Sequence, residues 1–391
     1  MKVVQINAVY EYSSTGRTTM ELNRALKNRG YESYVFCTNQ NDEANGIFCM
    51  GTSFSRAFHG FLSRLTGLQG YFSHSSTRRM LKKMDEIKPD IVHLRNLHGN
   101  FIHINMLLDY LVKNQIATII SLHDCWLFTG HCCHFLEDNC DKWQYGCGKC
   151  PAWHKWNKSW FFDRSAKVYR DRKERFTKLK KLAVVGVSDW VTNECRKSFM
   201  KENAKFYRIY NWIDLKTFVP WHDGENDRPM ILSVAQGWSD VKGLSDIINI
   251  ARESMDYDFV LVGNIPGGYD IPSNIKAVGT VNDVKELVRY YQKADIFLHL
   301  SYQETFGKVI AEALACGTPA VVYDVTAMPE LIGSGCGTVV QKGDWKAAAA
   351  AIRGLLINEY DEQNIRNFAE DNFDKEKLLN QQIELYKSII N

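Results

Sequence analysis

Two glutamates in the second half of the chain could hold a ligand that carries hydroxyl groups. Glu304 follows the apolar run Ile296–Leu300, and Glu312 lies about two helical turns further on. The two oxygens of a carboxylate can accept hydrogen bonds from a pair of neighbouring hydroxyls. The alternative is that Glu304 is a first-turn acid of a helix and that Glu312 is a surface residue paired with Lys308.

Apolar runs with the composition of strands alternate with helix-length segments, which predicts parallel α/β sheets. The first series of predicted strands is Lys2–Ile6, Glu32–Cys37, Ile91–Leu94, Ala117–Leu122 and Leu182–Val187. The second series is Ile231–Val234, Asp258–Val262, Ile275–Val278, Ile296–Leu300 and Pro319–Val322. Because ligands bind at the carboxyl ends of parallel strands, Glu304 occupies a ligand-binding position.

Charge divides the chain into two halves, although the overall composition is that of a soluble globular protein. Residues 1–220 carry 33 Lys and Arg against 20 Asp and Glu, whereas residues 221–391 carry 15 against 25. The polar stretch Val219–Pro229 coincides with this reversal and predicts a linker. The predicted domains are 1–218 and 219–374, followed by a C-terminal helix at 375–391 that either caps the second domain or crosses back to the first.

The string from Glu304 to Val321 reads Glu-Thr-Phe-Gly-x4-Glu-Ala-x-Ala-x-Gly-x-Pro-Ala-Val. It resembles the E-x7-E signature of the retaining nucleotide-sugar glycosyltransferases of group 1, also called family 4. The resemblance is close over the second domain and extends more weakly over nearly the whole chain. It implies the α/β GT-B fold, in which two Rossmann-like, doubly wound domains face each other across a cleft.

The resemblance also assigns roles within this string. It implies that Glu304 holds hydroxyls of the donor sugar and that Glu312 holds the ribose of the nucleotide. Backbone N–H groups near Phe306, Gly307 and Lys308 would face the sugar and diphosphate at the start of a helix, where the helix dipole favours an anion.

The segment after the first strand of the second domain matches the family at one of two positions. The family has an Arg and a Lys six residues apart here, and both reach the donor diphosphate. Lys242 matches the Lys, whereas Gln236 occupies the position of the Arg. Loss of one cation should weaken stabilisation of the leaving group, unless another base such as Arg17 substitutes. Further along, Gly279 aligns loosely with a segment whose backbone contacts the nucleotide base.

Segments of the first half offer further candidates. The turn that holds Gly16 and Arg17 has neither the G-x-G-x-x-G nor the P-loop pattern. The resemblance implies that it faces the donor, and an ordinary N-cap turn is the alternative. His123 belongs to a His-Asp string whose family counterpart lies beside the donor sugar, whereas His98 and Asp124 are candidates for the acceptor side. A structural role is the alternative for both histidines.

Cysteines are concentrated in the loop 125–151. Cys133, Cys140, Cys147 and Cys150 contain one Cys-x2-Cys pair, which suits a structural zinc site that staples the loop. Because the other spacings are irregular, free buried thiols and disulfides are alternatives, although a reducing cytosol disfavours disulfides. The resemblance implies that catalysis itself needs no cofactor.

Aromatic and basic residues interleave between Arg56 and Lys83, as they do in segments that lie at a membrane interface. Solvated helix faces are the alternative. The sequence shows no signal peptide and no membrane-spanning run, which predicts a cytoplasmic protein that is peripheral on the inner face of the membrane if this segment binds anionic lipid. The acidic second half and the lack of a recognition motif argue against nucleic-acid binding.

The resemblance therefore implies a retaining hexosyl- or N-acetylhexosaminyltransferase of capsule or lipopolysaccharide assembly. Its donor would be a UDP- or GDP-sugar, and its acceptor a glycan or polyprenyl-linked sugar. One alternative is a non-catalytic nucleotide-sugar-binding or regulatory protein of the same fold, which Gln236 favours. Hydrolysis or epimerisation of a nucleotide sugar is another.

Overall fold

The computed structural model describes residues 1–221, 226–358 and 360–390. The chain forms two compact units. The first comprises Met1–Ile209 together with the segment that begins at Leu379, and the second comprises Tyr210–Leu378. Residues 222–225 of the predicted linker lie outside the described residues. The predicted domain bounds, which place the division between residues 218 and 219, stay a prediction.

A seven-stranded parallel sheet forms the centre of the first unit. Its strands are β1 (Lys2–Ile6), β2 (Glu32–Cys37), β3 (Ile47–Cys49), β4 (Ile91–Leu94), β5 (Ala117–Leu122), β6 (Leu182–Gly186) and β7 (Ala204–Arg208). They lie in the order β3-β2-β1-β4-β5-β6-β7. Every residue of β4, β5 and β6 is buried, because helices cover both faces of such a sheet. The strand order reverses between β1 and β4, which creates a crevice at their carboxyl ends.

Helices connect these strands. They are α1 (Ser13–Asn28), α2 (Ser53–Thr66), α3 (His74–Ile87), α4 (Ile104–Asn114), α5 (Ser165–Phe176) and α6 (Asp189–Arg196). Between β5 and α5 the chain forms only two three-residue 3-10 turns, Trp126–Phe128 and Lys142–Gln144. The predicted Cys-rich loop lies in this segment.

A six-stranded parallel sheet forms the centre of the second unit. Its strands are β8 (Met230–Gly237), β9 (Asp258–Asn264), β10 (Ile275–Gly279), β11 (Ile296–His299), β12 (Ala320–Asp324) and β13 (Gly337–Gln341), in the order β10-β9-β8-β11-β12-β13. Its helices are α7 (Leu244–Glu253), α8 (Val284–Lys293), α9 (Lys308–Ala315), α10 (Trp345–Ile357) and α11 (Glu362–Phe373). The strand order reverses between β8 and β11, so the carboxyl ends of these two strands border the expected ligand crevice.

The helix α12 (Lys375–Ile390) begins in the second unit and continues into the first. Within the first unit, the Tyr386 hydroxyl lies 2.6 Å from Nδ1 of the buried His93 on β4. Arg29 donates a hydrogen bond to the Asn380 side chain at 2.6 Å. These contacts attach the later part of α12 to the first sheet.

Candidate functional site

A carboxylate and two basic side chains meet at the carboxyl end of β11. Lys242 Nζ lies 2.5 Å from Glu304 Oε1, and His299 Nε2 lies 3.1 Å from the same oxygen. His299 is the last residue of β11 and is buried, whereas the Lys242 side chain is 34% exposed. The structure therefore brings together two residues that the sequence analysis proposed and adds His299, which it missed.

The loop after β8 is tied to the loop after β11, and this contact positions Lys242. Tyr302 donates its backbone N–H to the Val241 carbonyl at 2.8 Å. The next residue after Lys242 is Gly243, which has a φ of +78°, and a Cβ there would lie 2.3 Å from the Leu300 carbonyl oxygen. Because only glycine tolerates this φ and this approach, Gly243 allows the two loops to touch.

The surroundings of Glu304 keep its carboxylate charged. Burial alone would raise the pKa of Glu304, but the charge of Lys242 and the hydrogen bond from His299 outweigh burial and hold the pKa well below its usual range. The Glu304 backbone N–H donates to Thr326 Oγ1 at 3.0 Å. A charged carboxylate on a fixed backbone is a suitable acceptor for sugar hydroxyls.

Helix α9 begins directly after this carboxylate. Gly307 precedes it with a φ of +87°. The Phe306 ring is buried, and its centroid lies 5.6 Å from that of Tyr210 and 5.9 Å from that of Phe373. Lys308 is the first helical residue. Since the Phe306 side chain is occupied in the core, any ligand contact here would come from backbone N–H groups at the positive end of the helix dipole.

Glu312 lies inside the unit rather than on its surface. It is 8% exposed, and the Tyr291 hydroxyl donates to its Oε2 at 3.0 Å. Burial, followed by the nearby Glu312 carboxylate, raises the pKa of Tyr291 well above its usual value. The alternative interpretation of Glu312 as an exposed partner of Lys308 is therefore wrong, because α9 turns this face toward α8 and the sheet.

The two remaining donor-side candidates lie at the ends of other strands. Gln236 is exposed at the carboxyl end of β8. Gly279 is the last residue of β10, has a φ of +77° and has open space where a Cβ would be. Both therefore lie at the edge of the sheet where ligands of parallel sheets bind.

In the first unit, a histidine and an aspartate pair after β4 and β5. His98 Nε2 lies 2.9 Å from Asp124 Oδ2, and the Trp126 backbone N–H donates to Asp124 Oδ1 at 2.8 Å. Burial lowers the pKa of His98, but the hydrogen bond and charge of Asp124 outweigh it, so the pKa is raised. Burial raises the pKa of Asp124, and the hydrogen bond from His98 outweighs it in turn. The two acceptor-side candidates thus form one pair, in which each side chain favours the charged form of the other.

A second histidine in the same unit is kept neutral by burial and by a neighbouring arginine. Arg95 is buried, and its Nη2 donates to Thr18 Oγ1 at 2.7 Å and to His123 Nε2 at 3.2 Å. Because arginine can only donate, we assign the ring proton of His123 to Nδ1. Burial, followed by the charge of Arg95, lowers the pKa of His123 to about 3. Arg95 was missed by the sequence analysis, although it follows β4 directly.

The turn before α1 holds the other two candidates of this unit. Gly16 is buried in the first turn of α1, where its carbonyl accepts the Glu11 backbone N–H at 3.0 Å. A Cβ at Gly16 would lie 3.2 Å from the Glu11 nitrogen. Arg17, the next residue, is exposed. Gly16 therefore allows the backbone of α1 to approach the Glu11 backbone closely, while Arg17 is accessible to a ligand.

All eleven cysteines are free thiols, so none of the predicted disulfide alternatives is formed in this structure. Cys133 lies with the His98–Asp124 pair: one ligand atom from each of the three residues lies within 4.8 Å of the other two. The predicted zinc site of Cys133, Cys140, Cys147 and Cys150 stays a prediction.

Exposed aromatic residues gather on α2 and the segment before α5. The members of this aromatic face are Phe54, Phe58, Phe61, Trp160, Phe161 and Phe162. The rings of Phe61 and Trp160 pack edge to face at 5.7 Å, which joins the helix to the segment. Phe54 is 80% and Phe161 63% exposed. Within the described residues, no helix is both long and apolar enough to cross a membrane.

Comparison with known families finds two matches that together span most of the chain. Residues 15–217 match the family described as Glycosyltransferase Family 4, which alone covers more than half of the chain. Residues 216–372 match the family described as Glycosyl transferases group 1.

Individual relatives and solved structures match this chain along nearly its full length. A Klebsiella pneumoniae protein described as an uncharacterized 41.2 kDa protein in the cps region is 22% identical over 390 residues, or 95% of this chain and 97% of the relative. Sucrose-phosphate synthase of Thermosynechococcus elongatus superposes with a TM-score of 0.71 at 15% identity, covering 100% of this chain and 99% of that one. Anabaena HepE in complex with UDP gives 0.68 at 15% identity, with 99% and 100% covered. These likenesses confirm the predicted GT-B fold.

Proposed function

The chain belongs to the glycosyltransferases of group 1 and family 4, and from this premise we propose that it transfers a hexosyl or N-acetylhexosaminyl group, with retention, from a UDP- or GDP-sugar. The acceptor is a glycan or polyprenyl-linked sugar in cell-surface polysaccharide assembly. The observation that carries the proposal is the Glu304 carboxylate, which Lys242 and His299 hold charged at the ligand end of a parallel sheet.

In this proposal Glu304 binds the sugar of the donor, and Lys242 binds its diphosphate. Glu304 accepts hydrogen bonds from hydroxyls of the sugar, as a charged carboxylate does well. The Lys242 ammonium has three N–H donors, so it can keep one on Glu304 while the others reach the diphosphate. This arrangement links sugar recognition to leaving-group stabilisation through one ion pair.

The other residues of the second unit complete the donor site. Backbone N–H groups at Gly307 and Lys308 meet the diphosphate, and Glu312, oriented by Tyr291, meets the ribose. The backbone at Gly279 lies against the base. Gln236 supplies an amide instead of a cation, so more of the leaving-group charge falls on Lys242 than in enzymes with a second cation.

The residues of the first unit contact the reacting face of the donor sugar and bind the acceptor. His123, neutral at physiological pH, can donate Nδ1–H to a donor sugar hydroxyl without carrying a charge. The His98–Asp124 pair binds the acceptor, and Gly16 with Arg17 faces the donor phosphates. The departing phosphate takes the acceptor proton, so no side chain acts as a covalent nucleophile.

Two relatives support the class of donor and the biological setting. The Klebsiella pneumoniae relative comes from a cps, or capsule, region. The Anabaena HepE structure holds UDP in a protein of the same fold. A nucleotide-diphosphate donor and a surface-polysaccharide product fit both observations.

A polyprenyl-linked acceptor places the enzyme at the cytoplasmic face of the cell membrane, and the aromatic face provides the contact. Arg64, Lys158 and Arg164 are exposed in the same two segments, and the Arg164 guanidinium lies 5.3 Å from the Phe162 ring centroid. Aromatic rings partition into the lipid interface, while the cations attract anionic headgroups. The interfacial interpretation is thus preferred to a merely solvated helix.

The test is donor turnover by the full chain carrying Glu304→Ala or Glu304→Gln. Release of nucleoside diphosphate from a panel of UDP- and GDP-sugars, in the presence of polyprenyl-diphosphate-linked acceptors, should fall about 10²- to 10³-fold in both variants. Glu286→Gln, at an exposed carboxylate on α8, is the matched control and should keep parental turnover. Activity of Glu304→Ala within about threefold of the parent refutes the assignment, and an inverted product anomer refutes retention.

A second candidate is a nucleotide-sugar-binding or regulatory protein without catalysis, and the exposed Gln236 in place of a cation favours it. A thermal-shift screen separates the two candidates, since a ligand stabilises any fold that binds it. Stabilisation by a nucleotide sugar without turnover on any acceptor would favour the regulatory protein. Restoring the cation with Gln236→Arg should raise turnover in an enzyme and leave a pure binding protein inactive.

A further inference from the structure

Three side chains that can bind a metal ion meet beyond the carboxyl ends of β4 and β5. One ligand atom from each of His98, Asp124 and Cys133 lies within 4.8 Å of the other two. The two strands are neighbours in the first sheet, so the segments that follow them begin side by side. An imidazole, a carboxylate and a thiolate are all ligands that Zn²⁺ accepts. The group therefore has the composition of a zinc site.

Hydrogen bonds hold the segment after β5 so that Cys133 lies beside the other two residues. Cys125 donates its backbone N–H to the Cys133 carbonyl at 2.8 Å, which closes the loop between them. Within this loop, Arg172 Nη1 donates to the carbonyls of Trp126 and Thr129, the second at 2.7 Å. Because Arg172 is buried on α5, these bonds fix the loop to the helix. A ligand that its surroundings already hold in place binds a metal with little reorganisation.

The carboxylate and the imidazole are also oriented by their surroundings. The Trp126 backbone N–H donates to Asp124 Oδ1 at 2.8 Å, and the other oxygen, Oδ2, lies 2.9 Å from His98 Nε2. The His98 ring packs edge to face against the Trp126 ring, with 5.9 Å between centroids. Contacts of this kind set the direction of metal ligands. One carboxylate oxygen and one ring nitrogen are thus available to the same ion.

The three ligand atoms are close to the spacing that tetrahedral coordination requires. Bonds of about 2.0–2.1 Å to nitrogen and oxygen and about 2.3 Å to sulfur place such atoms roughly 3.3–3.6 Å apart. The distance between His98 Nε2 and Asp124 Oδ2 must open from 2.9 Å, and no other separation has to close from more than 4.8 Å. Both movements are on the order of 1 Å, which side-chain torsions can supply.

We propose that His98, Asp124 and Cys133 bind one Zn²⁺ ion. The His98 imidazolium and the Cys133 thiol each release a proton to solvent as the ion enters, and no electron is transferred. Two positive charges leave and two arrive, so the net charge of the site does not change. The buried guanidinium of Arg172, which lies 3.8 Å from the Trp126 ring centroid, therefore meets the same net charge with the ion as without it.

Three protein ligands leave one position of the ion open. Among the residues that the structure describes, no fourth His, Cys, Asp or Glu joins the group. The His98 side chain is 30% exposed and that of Asp124 15%, so solvent reaches the site. A zinc ion with three protein ligands holds water or a substrate oxygen in its fourth position. The last step rests on the proposed function, in which His98 and Asp124 bind the acceptor: the open position takes an anionic oxygen of the acceptor diphosphate.

The experiment measures zinc by elemental analysis in the full chain purified without chelator and without added metal. The parent should retain about one equivalent, and His98→Gln and Cys133→Ser should retain less than about a fifth of that. Cys49→Ser, at an exposed cysteine outside the group, is the matched control and should retain as much as the parent. Less than about half an equivalent in the parent overturns the proposal.

One further variant separates this site from the four-cysteine site predicted from the sequence. Cys133 belongs to both groups, whereas His98 belongs only to the first and Cys150 only to the second. Cys150→Ser should therefore keep the zinc. Zinc that is lost from Cys150→Ser but kept in His98→Gln overturns the proposal, because the ion would then lie among the cysteines.

Cobalt substituted for zinc in the parent keeps the proposal testable if these variants fail to fold. The cobalt protein should show the absorption of a four-coordinate ion with a single thiolate ligand, and inorganic diphosphate should shift its visible bands by entering the open position. Absorption typical of four thiolates, or of none, contradicts the ligand set, and bands that diphosphate leaves unchanged contradict the open position. Neither measurement involves sugar transfer, so failure of this site and failure of the proposed function are distinguishable.

Discussion

Each unit places a basic side chain against a titratable residue at the carboxyl ends of its central strands, but Glu304 is held charged whereas His123 is held neutral. In the second unit two basic side chains converge on one oxygen of Glu304 and keep an anion charged. In the first unit burial lowers the pKa of His123, and the guanidinium of Arg95, which donates to its ring, lowers it further. Burial opposes charge in both places, but the neighbouring charges overcome it at Glu304 and reinforce it at His123.

This difference suits the two halves of a sugar-transfer reaction. The diphosphate is the most highly charged part of the donor, and the unit proposed to bind it keeps a cation within reach next to a fixed anion. A neutral imidazole can still donate a hydrogen bond, but it adds no positive charge beside the buried guanidinium. The end of β11 thus stabilises charge, whereas His123 at the end of β5 offers an uncharged hydrogen bond.

The largest expected effect comes from removing the cation that the second unit relies on. Lys242→Met should lower kcat/KM for the donor about 10²- to 10³-fold, because Gln236 offers no second cation for the leaving group. Steady-state release of nucleoside diphosphate measures it. Lys285→Met, at an exposed lysine on α8, is the control. Parental activity of Lys242→Met would remove the electrostatic contrast between the units.

A mild acid titration should destabilise the first unit before the second. Burial is the main cause that lowers the pKa of His59 and His103 to about 4, and the pKa of His123 is lowered to about 3. Because the unfolded chain binds these protons near pH 6.5 and the folded chain does not, stability is full above that pH. It is lost as pH falls toward the folded values, by up to about 2 kcal/mol per histidine at pH 5.

Glu304 loses its contribution in the same direction, as pH falls, but in a lower pH range. Its folded pKa is depressed below that of an unfolded glutamate, so its contribution is present above about pH 4.3 and is lost only below that value. Hydrogen exchange at pH 7 and pH 5, resolved by peptide, should therefore show faster opening in β4 and β5 and little change in β8 and β11. His123→Asn should reduce the difference, and equal acceleration in both sheets would contradict the assignment.

The smallest expected effect concerns the aromatic face of the first unit. The double variant Phe58→Ala/Phe161→Ala should bind vesicles containing phosphatidylglycerol about tenfold more weakly, because two exposed rings no longer enter the interface. Vesicle flotation at low salt measures the bound fraction. Trp221→Ala removes a 60% exposed ring from the second unit and should have no effect. If Trp221→Ala weakens binding as much as the double variant does, the contact is not confined to the first unit.

The strands that were predicted correctly and those that were missed differ in burial. The runs that became β1, β4 and β5 are mainly apolar and almost fully buried, because both faces of a central parallel strand are covered. The missed strands β3, β7 and β13 lie at sheet edges and are largely half-exposed or exposed, so their sequences alternate weakly and resemble loops.

The candidate site was predictable only where a motif carries it. Glu304 and Lys242 could be found because their spacing follows a family pattern. His299 and Arg95 could not, since each is a single polar residue at the end of a buried apolar run and its partner comes from a distant part of the chain. The position of Cys133 beside His98 and Asp124 depends on the path of a loop, which spacing alone does not determine.

The course of α12 has a consequence for how the molecule is made. Synthesis runs from the amino end, so all of the second unit, up to Leu378, has left the ribosome before the segment from Leu379 that completes the first unit. Until Tyr386 arrives, the imidazole of His93 lacks one of its two hydrogen-bond partners. The first unit is therefore completed last. While the second unit is translated, the buried His93 of the nascent first sheet lacks its Tyr386 partner.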